Sequence, residues 1–193
     1  MSELTSRQKQ AITTREKIYR CAMELFGKYT YANVTVKDIC KAAEVSIGGF
    51  YHYFNSKADI LNDGYRLFDE AIRESMSEKR IESPVEKIYF LIREQCKATE
   101  TMGVLAFAEL YKNQLTSEDK YILNTERFFY HELKDAIAMA IEEGSFLGEA
   151  KQITTEVLSV VRGLIYDWIL HEGNFDLTER ALKMTKIILE SYI

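Results

Sequence analysis

Apolar residues recur along most of this chain at the spacing of an α-helix, three or four positions apart, and strand-like alternation is hard to find over more than a few residues. Nine glycines and one proline, Pro84, leave few breakers, so the pattern predicts an all-α protein of about nine helices. Capping residues place their starts. Thr13 or Thr14 opens a helix with Ile18, Ala22, Leu25 and Phe26 on its apolar side and Gly27 near its end. Thr35, with Asp38 three positions on, opens a second helix whose inner face is Ile39, Ala42 and Ala43. A very short helix covers about Ile47–Phe54, and Ser56 with Asp59 caps a long one. Ser83-Pro84-Val85-Glu86 combines cap, first-turn proline and third-position acid. A break near Gly103 divides the middle of the chain. Thr116 with Asp119 starts a helix running to Gly144, the apolar stretch Ile153–Leu170 ends near Gly173, and Asp176 with Glu179 opens the last helix.

Within this array residues 35–61 form a distinct unit. Ile39, Ala43, Val45 and Phe50 are spaced to make a buried seam between two helices joined by a tight turn, with Ala42 and Ala43 small enough for a close crossing. That is the packing of a helix-turn-helix, whose second helix enters the major groove of DNA. Phe50 and Phe54 are expected in the core. The outer face carries Ile47, Gly48 and Gly49, where backbone can approach a partner, followed by Tyr51, His52 and Tyr53 with groups suited to phosphate oxygens. Tyr51 and Tyr53 differ by roughly 200° on a helix, so one of them is expected to pack beneath it.

Charge sharpens this picture. The chain of 193 residues carries a net −5, which by itself argues against a nucleic-acid partner. Residues 1–60 hold nine Lys and Arg against six acids, a balance of +3, and residues 61–193 carry −8. Such asymmetry marks an anion-binding end. Arg7 and Lys9 belong to that basic end, as an arm along the groove or, the leading expectation, a solvated tail. Cys21, Cys40 and Cys96 are widely spaced, without a CxxC pair, which fits a reducing compartment better than a disulfide framework or a zinc site. No apolar leader or 18-residue apolar run appears, so a cytoplasmic protein is expected. There is no phosphate loop, HExxH or GxSxG, and His52, His131 and His171 lie far apart, so neither an enzyme, a metal site nor a cofactor is indicated.

The run T-V-x-D-I-x-x-A-x-x-V-S-x-G-x-F-Y-x-Y-F-x-S-K-x-x-x-L, with the preceding helix ending Leu25-Phe26-Gly27, resembles the DNA-binding domain of the TetR/AcrR family of bacterial transcriptional repressors. The match runs from about Thr14 to Leu61. The tail RGLIYDWIL, residues 162–170, is also of a kind seen in that family. The resemblance implies a helix-turn-helix domain over residues 1–56 and a larger helical effector-binding and dimerisation domain over 57–193. It makes Ser46, Ile47, Gly48, Gly49, Tyr51 and His52 the recognition face, and Thr35, Lys37, Tyr53 and Lys57 mainly phosphate clamps. Ile47 departs from the polar or basic residues frequent there, and its side chain suits a thymine methyl. Implied partners are double-stranded operator DNA of near-palindromic sequence, a second copy of the chain and a small-molecule effector.

For a dimer interface, Val157, Val161, Leu164 and Trp168 form one stripe and Leu158 and Ile165 an adjacent one, joined by Leu182, Ile187, Ile188 and Leu189 of the last helix, with Gly163 allowing close approach. For an effector pocket the candidates are Tyr65, Phe68, Tyr89, Phe90, Phe107, Tyr111, Phe128 and Phe129, with Glu94, Glu109 and Arg127 as polar groups. An alternative keeps DNA binding but has the C-terminal part bind a protein or serve dimerisation alone.

Overall fold

The computed structural model describes residues 6–29, 31–118 and 120–193, with side chains described from residue 12 onward. Among these residues nine α-helices and two 3-10 turns account for the secondary structure. They are α1 (Ser6–Lys28), a turn at Tyr31–Asn33, α2 (Val36–Ala43), α3 (Ile47–Tyr53), α4 (Lys57–Glu78), α5 (Pro84–Met102), α6 (Val104–Thr116), a turn at Tyr121–Leu123, α7 (Phe128–Glu142), α8 (Ala150–Leu170) and α9 (Leu177–Glu190).

Most starts follow from local capping. The Thr35 hydroxyl accepts the Asp38 amide, and the Asp38 carboxylate accepts the Thr35 amide at 2.8 Å, a reciprocal box. Those bonds from Thr35 hold the Asp38 carboxyl below the usual range. Ser56, Ser83 and Asp176 cap α4, α5 and α9 by accepting the amide three residues on. Gly103 takes φ +84°, a conformation that favours glycine, and turns the chain from α5 into α6.

Two starts differ from the sequence expectation. Helix α1 begins at Ser6, well before Thr13, because the segment RQKQA is made of good helix formers. The backbone at Arg7 and Lys9 is therefore helical rather than a tail, while their side chains lie outside the described residues. Thr116 ends α6 instead of opening a helix: its hydroxyl donates back to the carbonyls of Lys112 and Asn113. Lys120 covers the carbonyls of Leu115 and Ser117, and the Gln114 side chain accepts the Ile122 amide, so this segment folds back on α6 and the next helix waits until Phe128. Asp119 lies outside the described residues.

Two apolar cores result. The N-terminal one is centred on Ile18, Phe26, Ile39, Phe50 and Phe54, and draws Ile60, Leu61 and Tyr65 from α4 and Leu110 from α6. The second gathers α5, α7, α8 and α9 around Leu91, Ile92, Leu133, Ile137, Val157 and Trp168. Helix α4 belongs to both. It is pinned to α1 by Asp63, which accepts from Arg15 and from Arg66 at 2.9 Å each. Burial pushes the Asp63 carboxyl up, but the bonds from Arg66 and Arg15 outweigh this and its pKa is lowered. Gly64 lets α1 come close, since a β-carbon there would stand 2.8 Å from the Tyr19 hydroxyl.

Candidate functional site

Helices α2 and α3 meet across a short turn at Glu44, whose φ of 55° is left-handed and whose amide closes onto the carbonyls of Cys40 and Lys41. Ile39, Ala43 and Phe50 are fully buried at the crossing, with Val45 at its edge. Ala42 does not join them. It is exposed, facing a groove with Leu25 and Tyr29, and the inner position belongs to Cys40, whose thiol points at the Ser46 carbonyl. Phe54 is buried as expected.

The other side of α3 is open. Ser46, Ile47, Gly48, Tyr51 and His52 are exposed, Ile47 by 45 % and Tyr51 by 53 %. Leaving such apolar and aromatic surface uncovered on a seven-residue helix is unusual unless a partner covers it. The Ser46 hydroxyl caps the helix by accepting the Gly49 amide at 2.9 Å. A β-carbon at Gly48 would meet nothing, whereas one at Gly49 would press on the Ser46 hydroxyl at 3.1 Å. Tyr53 turns back and is half-buried against the N-terminal core, so of the two tyrosines Tyr51 is the outward one.

The cations flanking this face divide. Lys37 and Lys41 are exposed on α2. Lys57 is half-buried: its ammonium lies 4.0 Å over the Tyr31 ring and donates to the carbonyls of Tyr31 and Val34. Burial lowers its pKa, opposed by Glu109. Two of its three donors thus fasten the turn before α2, a job that sequence spacing could not reveal because the partners lie 23 and 26 residues away.

The second unit contains two adjoining cavities. The inner one, about 50 Å³, is lined by Gly64, Tyr65, Phe68, Thr99, Met102 and Phe107 among others. The outer one, about 150 Å³, is lined by Ile122, Phe129, Tyr130, Leu158, Lys151 and Arg162 among others. Gln95 and Arg127 border both. Arg127 is 9 % exposed and makes a two-pronged pair with Asp69 of α4, at 2.8 and 3.1 Å, under the Tyr65 ring.

Of the expected pocket residues, Tyr65, Phe68, Phe107 and Phe129 line these cavities. Tyr111 lies behind the wall, its hydroxyl donating to the Arg162 carbonyl at 3.2 Å. Phe90 and Glu94 do not contribute: they sit roughly 140° and 100° round α5 from Gln95 and face Lys79. Phe128 lies outside under Arg73, and Glu109 pairs with Lys112. Gln95, Thr99 and Arg162 were missed. The first two share a face of α5 with Met102, and Arg162 is the one basic residue in the largely apolar stretch 153–170, a signal that was present.

The proposed dimer stripe is corrected more strongly. Val157, Val161, Trp168 and Leu189 are buried within this chain, and Leu164, Leu182 and Ile188 are half-buried at the margin. Helix α8 is apolar on more than one side, and its richer side is taken by the chain's own core. Exposed instead are Gly163, Tyr166 and Leu170 toward the end of α8, and Ile187 on α9.

Among the described residues no group of His, Cys, Asp and Glu could hold a metal ion, and no helix is long and apolar enough to cross a membrane.

Comparison with known proteins agrees with the geometry. Residues 18–63 match the family described as bacterial regulatory proteins, tetR family. The HTH-type transcriptional regulator AcrR of Shigella flexneri is 23 % identical over 201 residues, covering 96 % of this chain and 92 % of its own. The regulator UidR of Escherichia coli K12 is 33 % identical over 89 residues, 44 % of this chain and 40 % of its own. Among solved structures, the tetR-family repressor FadR of Thermus thermophilus in complex with lauroyl-CoA superposes with a TM-score of 0.68 at 23 % identity, covering 93 % of this chain and 95 % of that one. FadR of Bacillus subtilis in complex with stearoyl-CoA gives 0.71 at 18 % identity, covering 92 % and 99 %. Residues 18–63 thus carry a helix-turn-helix of the tetR family, and over its whole length the chain resembles transcriptional regulators of that family.

Proposed function

We propose that this regulator acts in the cytoplasm as a homodimeric repressor, binding a near-palindromic operator through α3 and released when a small molecule occupies the cavities around Arg127. The observation that carries the reading is the uncovered face of α3. Ser46, Ile47, Gly48 and Gly49 stand at the helix start, where backbone can meet bases, and Ile47 is suited to a thymine methyl. Tyr51 and His52 reach base edges or phosphates, while Thr35, Lys37 and Tyr53 border the same surface. Lys57 serves the phosphates through its third N–H and by holding the 31–34 turn in place.

In this reading residues 1–56 form the DNA-binding domain and 57–193 the effector and dimer domain, with α4 common to both. Two copies meet through the outer faces of α8 and α9, where Gly163 permits close approach, Tyr166, Leu170 and Ile187 supply apolar area, and Leu164, Leu182 and Ile188 complete the rim. The twofold axis sets two α3 helices into successive major grooves, hence the near-palindrome. The FadR relatives hold acyl-CoA molecules in their structures, which favours a ligand-responsive second domain over a purely structural one.

The test is fluorescence anisotropy with duplex DNA from upstream of the chain's own gene, at about 150 mM salt. The expected result is two chains per duplex and a preference for one sequence over random DNA of at least ~10³-fold. Replacing both Tyr51 and His52 by Ala should abolish most of that preference while leaving the melting temperature unchanged. Binding without sequence preference overturns the reading.

A further inference from the structure

The two cavities carry a charge imbalance that the proposed function does not use. Of the twenty residues that line them none is a carboxylate, whereas Arg127, Arg162 and Lys151 all stand there. Arg127 is neutralised by Asp69 from behind. Arg162 is half-buried and Lys151 stands at the rim, and among the described residues neither is paired with an acid. The only side-chain partner of the Arg162 guanidinium is the Ser159 hydroxyl, at 3.1 Å, among the described residues. Burial lowers the pKa of Arg162, which remains charged all the same. A half-buried cation without a counter-charge is costly unless something anionic arrives.

Two further groups lack partners. The Tyr65 hydroxyl, on a residue only 7 % exposed, and the side-chain carbonyl of Gln95 are buried without a hydrogen bond among the described residues. Tyr65 lines the inner cavity and Gln95 borders both. Buried polar atoms are nearly always paired, so these two are places for a ligand's polar group or a water. Much of the remaining wall is apolar, including Phe68, Phe107, Phe129 and Leu158, with Asn124, Thr125 and Thr155 on the outer cavity.

We infer that the effector is a compact amphipathic anion: a single carboxylate or phosphate head at Arg162 and Lys151, and an apolar, ring-sized body lying on Phe129 and Leu158 toward Gln95 and Tyr65. Size supports the word compact. An apolar cavity of about 150 Å³ holds a benzene-sized group, and the outer cavity has about that volume. A long acyl chain requires Gln95 and Arg127 to separate so that the inner cavity joins it. This inference rests on the reading of these cavities as the effector site.

The test uses the purified full-length protein and isothermal calorimetry with matched probes. One set has a phenylpropyl tail and the other an octyl tail, each carrying a carboxylate, a phosphate, an alcohol or an amine. The expected result is that at least one tail binds with its carboxylate or phosphate tenfold or more tighter than its alcohol, the size of one charge-assisted hydrogen bond, and that the amine binds weakest. Arg162→Gln should bring anion and alcohol to within about twofold of each other without changing the alcohol's affinity, and Arg162→Lys should restore part of the preference. Equal binding of alcohol and anion, tighter binding of the amine, no binding of any probe, or a preference that survives Arg162→Gln overturns the inference. Operator release is then read separately by anisotropy. An anion that binds as expected yet leaves DNA affinity untouched sinks the effector reading but not the anion site, whereas release by alcohols or amines alone sinks the anion site and not the effector reading.

Discussion

Removing the guanidinium of Arg127 should be among the most damaging single changes outside the apolar cores. The side chains of Arg127 and Asp69 are only 8 % and 12 % exposed and meet through two hydrogen bonds at 2.8 and 3.1 Å. Arg127→Met keeps most of the stem that lies against Tyr65 but strands the Asp69 carboxylate. Breaking a buried pair from one side costs about 3–5 kcal/mol. Arg66 and Arg73 border the groove on the solvent side of Asp69 and can receive the freed carboxylate, which places the loss toward the lower end. For a chain of this length a loss of that size lowers the melting temperature by roughly 6–20 °C. The assay is urea or thermal unfolding at one fixed protein concentration, because association adds to apparent stability. The informative control is the double variant Arg127→Met with Asp69→Leu, which removes both charges and should recover most of the loss. A loss below about 1 kcal/mol for the single variant, or a double variant no better than the single, would refute the reasoning.

Three other outcomes follow from the packing. Gly64→Ala gains about 1 kcal/mol of helix propensity but sets a β-carbon 2.8 Å from the Tyr19 hydroxyl, so a net loss of about 1–2 kcal/mol is expected, and adding Tyr19→Phe should recover it in the same unfolding assay. Asp63 has a folded pKa below its unfolded value of 3.8, so its contribution is fully present above about pH 4 and disappears as pH falls through the lower, folded value. Asp63→Asn should therefore lower stability at pH 7 and flatten the acid limb of a stability curve below pH 4. Replacing Tyr166 and Leu170, which are 53 % and 62 % exposed, by Glu should shift sedimentation toward the single chain without loss of helical signal, whereas Val157→Glu should unfold it.

The helix starts were legible because a cap is a local device: Thr35 with Asp38, Ser56 with Asp59, Ser83 with Pro84 and Asp176 with Glu179 all act within three residues. The same signal misled at Thr116, where Gln114 and Lys120 bind the following segment back onto α6 and local propensity loses to those bonds. The seam of α2 and α3 was legible through its small and apolar spacing, apart from Ala42, which stands roughly 200° round the helix from Cys40 and 100° from Ala43. The direction of α8 was not legible. A helix apolar on two sides does not say which side the chain keeps for itself, and here α5, α7 and α9 claim Val157, Val161 and Trp168. The cavity's polar frame was hidden for a different reason: Arg127 meets Asp69 across 58 residues, a pairing with no local trace.

That hidden pairing supplies a physical route between the two units. Helix α4 carries two buried carboxylates six residues apart, about 9 Å along its axis. Asp63 holds Arg15 of α1, in the DNA-binding unit, and Asp69 holds Arg127, which borders both cavities. Interfaces of this kind switch between discrete arrangements rather than bending smoothly, because their ion pairs are either made or broken. In the effector reading proposed above, a ligand that draws Arg127 toward the cavity would pull on Asp69, and α4 would pass that displacement to Asp63 and so to the angle of α1 and α3. The same ligand affects DNA only by the difference in its affinity for the two positions of Arg127. On that reading the coupling runs through one arginine and one helix, and a variant lacking both charges of the inner pair should keep its fold and its DNA while losing much of its response to any ligand in the cavity.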